Sequence, residues 1–365
     1  MDDERYLLWL SRVTGLGYQK QRLLLSCFGS AKAVHEATGD ELLAISGLNL
    51  RLVECIRESQ NEETIRRYEE ELEKKGIRYV SRRGAGYPPG LAQISDPPLI
   101  LYYIGELPDA GTPAVSVIGA RRCTEYGLTA AYGLSKDLGK AGVVVISGMA
   151  RGIDGMSHKG ALDGGGVTVA VLGCGVDICY PIDNKNLRER IIKSGCVVSE
   201  YPPGTSPKPG YFPMRNRIIS GMSTITVVVE AAERSGTLIT VDQALEQGRT
   251  VMAVPGPITG GSSRGTNGLL RQGAGIVTSS ADIFQELGMD PNILSKEKDG
   301  TASADPEGLS REERAVYACF GDDPIEKDGL IRKLDSQAHV VSYVLTMLEM
   351  KGLVRKLPGQ RYVRK

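Results

Sequence analysis

Ala114-Val115-Ser116-Val117-Ile118-Gly119-Ala120-Arg121-Arg122 decides the fold. A short apolar run rich in valine breaks at a glycine and passes into two arginines. Short β-branched runs bounded by glycine predict buried strands. The same pattern recurs at Val143–Ser147, Thr168–Leu172, Cys196–Ser199, Ile225–Val229, Thr250–Val254 and Gly275–Val277. Amphipathic stretches at Gly127–Gly139, Asp154–Leu162 and Thr237–Gln247 predict helices between several of them. Apolar strands separated by helices define an α/β class: a Rossmann-like, doubly wound, mostly parallel sheet over residues 112–290. Sheets of this kind bind ligands in the crevice outside the carboxyl ends of their strands.

On the N-terminal side, residues 1–75 predict a helical domain of the SAM-like or helix–hairpin–helix kind. Gly15-Leu16-Gly17 and Ser46-Gly47-Leu48 each join two short apolar-periodic segments. The turn amides of such a hairpin can face a phosphate, as helix N-termini do, or the glycines can serve only as turns in a small bundle. Residues 61–75 carry both charge signs and predict a solvated helix face, and 76–111 connects into the core. On the C-terminal side, Pro291 to Glu307 lacks periodicity and predicts a linker. Beyond it, residues 308–365 predict a winged helix-turn-helix. Its helices are Ser310–Phe320, Ile325–Asp335 and Gln337–Lys351, and its two short strands flank Pro358-Gly359. Ser310 with Glu313 predicts an N-terminal capping box.

Composition excludes several classes. The 365 residues carry 44 basic and 44 acidic side chains, so a generally basic nucleic-acid binder is excluded and any such affinity must come from local charge. Seven cysteines without a CxxC pair argue against a zinc site or a disulfide framework, and no metal or cofactor is expected. The acidic start Met1-Asp2-Asp3-Glu4-Arg5 lacks a signal peptide's apolar segment, and no long apolar run predicts a membrane span. A cytoplasmic protein is expected.

The predicted strand ends carry the chemistry. Gly119 and Arg121-Arg122 follow the first strand. Ser147-Gly148, Arg151, Asp154 and, on the next helix, His158 and Lys159 follow the second. Gly173-Cys174-Gly175 follows the third, and Glu230 with Ser235-Gly236-Thr237 the fifth. Glycines admit close backbone approach, helix N-termini present amides, and the basic side chains add charge, which together describe an anion-binding crevice. A nicotinamide dehydrogenase is excluded because the first turn lacks G-x-G-x-x-G and no acidic residue closes the second strand. No P-loop motif occurs either. Asp154 and His158 share a helix face and can form an acid–base pair, or Asp154 can cap the helix while His158 packs.

Phe212-Pro213-Met214-Arg215-Asn216-Arg217 places one of only four phenylalanines beside two arginines. Guanidinium forks match phosphates, and an aromatic face beside them suits a single-stranded nucleic acid. The Pro-rich segment containing Lys208 precedes it and predicts a loop end for Phe212 near the crevice mouth. The alternatives are a core phenylalanine and arginines paired with Glu200 or Glu230.

Taken in order, these motifs resemble the DNA-processing protein A (DprA) family. The matching segments are Val117–Gly127, Ser147–Asp154, His158–Leu162, Ala170–Asp177, Tyr180-Pro181 with Asn184, Ser199–Gly204, Phe212–Ser220, Ser235–Thr240 and Val254–Gly256. Ala120 and Ser157 depart from the family's usual serine and alanine. The resemblance implies a homodimer that binds single-stranded DNA during natural transformation and recombination, protects it, and loads the RecA recombinase without catalysis. It implies a DNA site of Gly119, Arg121, Ser147, Gly148, Lys159, Phe212, Arg215, Asn216 and Arg217, to which Arg122, Arg151 and Lys208 are added as nearby positive charge. The rival readings are a nucleotide N-glycosidic hydrolase using the Glu230 region and a duplex-reading regulator using the winged helix. Ala231-Ala232-Glu233-Arg234 lacks the hydrolase's Pro-Gly-Gly run, and the third predicted helix of the winged domain has few basic residues.

Overall fold

A computed structural model describes residues 2–294, 309–320, 325–334, 336–357 and 361–364. Of the expected linker Pro291–Glu307, residues 295–307 lie outside these residues, as does the turn Pro358-Gly359, while Ile293 and Leu294 pack on the core of the first unit and so belong to it rather than to a linker. The chain forms two compact units, Met1–Leu294 and Ser295–Lys365.

The first unit is built on a nine-stranded sheet. Its strands are β1 (Arg78–Ser81), β2 (Ile100–Gly105), β3 (Ala114–Ile118), β4 (Val144–Ser147), β5 (Thr168–Val171), β6 (Cys196–Ser199), β7 (Ile225–Val228), β8 (Thr250–Ala253) and β9 (Gly275–Ile276). They lie in the order β1-β2-β6-β5-β4-β3-β7-β8-β9. From β6 to β9 every pairing is parallel, while β2 runs antiparallel to both β6 and β1. Strands β4 to β7 are buried throughout, which is why their sequences read as unbroken apolar runs rather than alternations. From β3 the chain steps outward through β4, β5 and β6, then returns to β7 on the other flank of β3. The β3/β7 boundary is thus the topological switch point, where a doubly wound sheet opens a crevice.

Helices Glu125–Lys140 and Ile153–Asp163 cover one face, where Val115, Val145, Ile225, Ala131 and Ala161 share a core. Helix Tyr211–Gly221 packs on the other face, its Ile218 and Ile219 against the β4 to β7 side chains. Proline at position 213 falls in that helix's first turn, where a missing amide costs nothing.

Six helices precede the sheet, from Asp2–Arg12 to Glu62–Lys74. Their apolar residues Leu8, Trp9, Leu24, Leu42 and Ile56 join one continuous core with Tyr102, Ala170 and Leu172 of the sheet side. Trp9 is fully buried, and its indole Nε1–H donates to the Ser59 carbonyl at 2.9 Å. The stretch 76–111, read from sequence only as a connection, supplies β1 and β2. β2 adds to the edge strand β6, so the connection is part of the sheet itself.

The second unit contains helices Arg311–Ala318, Lys327–Leu334 and Ala338–Met350 around Val316, Leu330, Val344 and Leu348. Its sheet has three strands: β10 (Ile325–Glu326), β11 (Val354–Leu357) and β12 (Arg361–Arg364), with β12 central. The helix expected from Ile325 therefore starts two residues later, because Ile325 and Glu326 pair with Tyr362 and Arg361. Ser310 and Glu313 form the expected capping box. The fold is thus an N-terminal helical region, a mostly parallel α/β sheet and a winged helix.

Candidate nucleic-acid crevice

At the switch point lies an open cavity of about 590 Å³. The end of β3 supplies Gly119, Ala120 and Arg121. The turn after β4 supplies Ala150 and the first turn of helix Ile153–Asp163 supplies Asp154, helix Tyr211–Gly221 supplies Phe212, Arg215 and Asn216, and Ser235 to Thr237 close the far side. Helix Thr237–Glu246 begins at Gly236 on this side, with its first two amides held by Ser235: the Thr237 N–H donates to Ser235 Oγ at 3.2 Å and the Leu238 N–H to the Ser235 carbonyl at 3.0 Å.

The rim is aromatic and cationic. The exposed Arg121 guanidinium lies 5.4 Å from the Phe212 ring centroid, and the Tyr180 ring stands 5.4 Å from Phe212 at 33°. Phe212 rests directly on Gly173, where an added Cβ would stand 3.0 Å from Cδ1 of the ring. The glycine after β5 therefore sets how deep the ring sits. Phe212 lies in the first turn of a helix rather than at the end of a loop. Tyr180 was not among the residues singled out for the site; its only sequence signal was the Tyr180-Pro181 pair.

Beneath the rim lies a buried polar layer. Arg215 is 4% exposed, and its Nη1 donates to the Gly148 carbonyl at 3.0 Å and to that of Val171. Burial lowers the Arg215 pKa to about 10, and nearby Asp154 partly restores it. Asp154 is itself buried; desolvation raises its pKa, against the pull of Arg215. Gly148 makes this layer possible. A Cβ there would stand 2.5 Å from Arg215 Nη2 and 2.7 Å from Asp154 Oδ2. The next residue, Met149, has left-handed backbone at φ 54°, and its carbonyl accepts from Asn184 Nδ2 at 2.9 Å. A non-glycine in that region costs of order 1 kcal/mol, so the turn after β4 is held by its surroundings.

The structure separates the expected residues into three groups. Gly119, Arg121, Phe212, Arg215 and Asn216 line the cavity. Arg122, Arg151, Lys159 and Lys208 are exposed but lie outside its wall, with Arg151 paired to Asp183 and Lys208 lying 5.6 Å from the Tyr211 ring centroid. Ser147, Gly148 and Arg217 are buried, which corrects their place among the lining residues. Ser147 Oγ donates to the Val117 carbonyl at 2.7 Å, because a hydroxyl at a buried strand end must pair within the protein. Arg217 forms a bidentate pair with Glu200 at 2.8 and 2.7 Å and donates from Nε to Asp96 at 2.8 Å. Burial opposes its charge, yet the two carboxylates more than offset that and raise its pKa.

The candidate acid–base groups are also placed. His158 is fully buried, its Nδ1 bonded to Thr168 Oγ1 at 2.7 Å, and burial pushes its pKa down to about 3. Glu230 is 1% exposed and caps helix Glu125–Lys140, accepting from the Thr124 amide at 3.1 Å and hydroxyl at 2.7 Å. Neither residue lines the crevice. Among the described residues no cluster of His, Cys, Asp or Glu is placed to hold a metal ion, and no helix is long and apolar enough to cross a membrane.

Comparison with known proteins bears on the same regions. The family model for DNA recombination-mediator protein A matches residues 78–288, and that for the DprA winged helix domain matches 300–360. Protein Smf of Synechocystis is 30% identical over the whole chain and 99% of its own length. DNA processing protein DprA of Streptococcus pneumoniae is 43% identical over 55% of this chain and 71% of its own. The X-ray structure of DprA from that organism superposes with a TM-score of 0.65 at 34% identity, covering 77% of this chain and 97% of the other. DNA processing protein A of Helicobacter pylori, solved for its single-stranded DNA binding mode, gives 0.52 at 27% identity, covering 61% and 98%.

Proposed function

The chain belongs to the DNA recombination-mediator protein A family, and on that premise we propose that its crevice binds single-stranded DNA without catalysing a reaction on it. One observation carries the reading: an exposed guanidinium and two aromatic rings meet at the mouth of the switch-point cavity. Every base has a face that stacks on a ring, and every nucleotide adds a phosphate, so this pairing binds a strand with little regard to sequence. The binding function of the Helicobacter pylori relative supports the same assignment.

Hydrolysis is the weaker reading because its candidate groups are engaged elsewhere. Glu230 is spent on a helix cap, and His158 is held neutral in the core. The resemblance extends the proposal to a homodimer that protects the bound strand and delivers RecA onto it during transformation and recombination in the cytoplasm. Within the site, Arg121, Phe212 and Asn216 contact the strand, while Arg122, Arg151, Lys159 and Lys208 attract its phosphates from outside the cavity.

Titration of the full chain with labelled oligo-dT, with and without excess duplex competitor, tests the core of this proposal. Saturable binding that duplex fails to displace is expected. Equal competition by duplex, or release of free base from nucleoside monophosphate, would overturn it.

A further inference from the structure

The crevice uses only one flank of helix Tyr211–Gly221. On the other flank lies a second, larger opening of about 1100 Å³. One wall is the N-terminal hairpin: Gly15, Gly17, Tyr18, Lys20 and Arg22. The opposite wall is Tyr201, Tyr211 and Met214, and the floor is the Arg217–Glu200–Asp96 cluster.

The chemistry of this groove repeats that of the crevice. Tyr211 stacks on Tyr201 with centroids 4.2 Å apart and planes at 23°, and the Lys208 ammonium lies 5.6 Å from the Tyr211 ring centroid. Met214 is half exposed beside them. Across the gap, Arg22 is exposed and Lys20 half-buried, and the floor cluster contributes only one net negative charge, from two carboxylates and one guanidinium. The lining is therefore net positive. Helix Tyr18–Phe28 starts at Gly17 without a side-chain cap, and the buried Tyr18 hydroxyl has no hydrogen-bond partner. A partly exposed ring stack, two cations and open amides around one groove fit a phosphate-bearing strand.

The two openings are contiguous through sequence. Tyr211 lines the groove and Phe212 the crevice, and neighbouring Cα atoms are about 3.8 Å apart. We propose that single-stranded DNA leaving the crevice crosses the first turn of this helix and continues into the hairpin groove, with Lys20 and Arg22 holding its phosphates. This rests on the crevice reading above and adds a second subsite on the helical region. It also assigns a role to the Gly15-Leu16-Gly17 turn, which a purely structural hairpin would lack.

Oligonucleotide length separates the two sites. The full chain and its Lys20→Ala/Arg22→Ala variant are titrated by anisotropy with dT5 and dT20 over a series of salt concentrations. The variant is expected to bind dT5 like the wild type. Its salt slope for dT20 is expected to fall by about 1.4, two phosphate contacts at about 0.7 each. An unchanged dT20 slope would overturn the proposal and leave the groove to another occupant, such as a protein segment. Equal weakening on both lengths would overturn it as well. If the wild type fails to bind dT5 at all, the crevice reading fails instead.

Discussion

Arg121 at the crevice rim and Arg217 in the layer behind it are the same side chain in two settings. Arg121 is exposed above the Phe212 ring. Arg217 has a 4% exposed side chain gripped by Glu200 and Asp96. An exposed guanidinium retains its hydration and is free to exchange water for phosphate. A buried one is stable only with its carboxylates, and those carboxylates need it equally. Arginine near a site is thus not itself a sign of ligand contact; burial and partners decide whether it binds or braces.

The largest test of this contrast removes the brace. Arg217→Ala leaves Glu200, 17% exposed, and Asp96, 35% exposed at the groove floor, without their guanidinium and is expected to cost about 2–3 kcal/mol of stability in urea unfolding, less than a fully buried pair because water reaches Asp96. A loss below about 1 kcal/mol would mean that the pair is solvent-screened and the contrast is false.

The buried layer should also reveal itself through pH. His158 is held neutral in the fold with its pKa near 3, whereas an unfolded histidine titrates near 6.5. Below pH 6.5 the unfolded chain takes up a proton that the folded chain refuses. Stability is therefore full above that pH and falls as pH drops toward 3. The expected loss between pH 6.5 and 5 is about 2 kcal/mol from this group. Urea midpoints for the wild type and His158→Gln at pH 7 and 5 check it; equal pH dependence in both would remove His158 as the source.

On the rim, the same perturbations should spare stability and strike binding. Phe212→Ala is expected to weaken oligo-dT binding by about 1–3 kcal/mol, the value of one base stacked on a ring. Unchanged affinity would take Phe212 out of the site. The smallest expected effect is that of Arg121→Ala: a decrease of about 0.7 in the salt slope for oligo-dT, with an unaltered unfolding midpoint. A midpoint shift with no slope change would make Arg121 another brace.

The strands at the centre of the sheet were legible because burial on both faces forces continuous apolar sequence, as in Val115 to Ile118 and Ile225 to Val228. β1 and β2 were not. Arg78-Tyr79-Val80-Ser81 is short and half polar, and β2 follows a Pro97-Pro98 pair that reads as loop. They form a sheet edge because β2 pairs antiparallel with β6, a partner about a hundred residues away that no local pattern announces, and β1 then pairs antiparallel with β2. Within the site, the glycine turns and the Phe212 string stood out by residue type. The helix around Phe212 did not, since Pro209 and Pro213 mimic the composition of a loop.

Sequence alone therefore determined the doubly wound α/β class, the capping box at Ser310, the family resemblance and the strand ends that meet at the crevice. These follow from local rules: apolar periodicity, capping chemistry and the places where glycine breaks a strand. Tertiary structure alone decided that Arg217 pairs with Glu200 and Asp96, that Arg215 is buried in the crevice wall, that Glu230 caps a helix, and that Tyr180 joins Phe212. Each of these outcomes depends on which charged or aromatic groups the fold brings within a few ångströms and how much water it leaves them. Both are properties of the packed chain, and neither is written in the spacing of its residues.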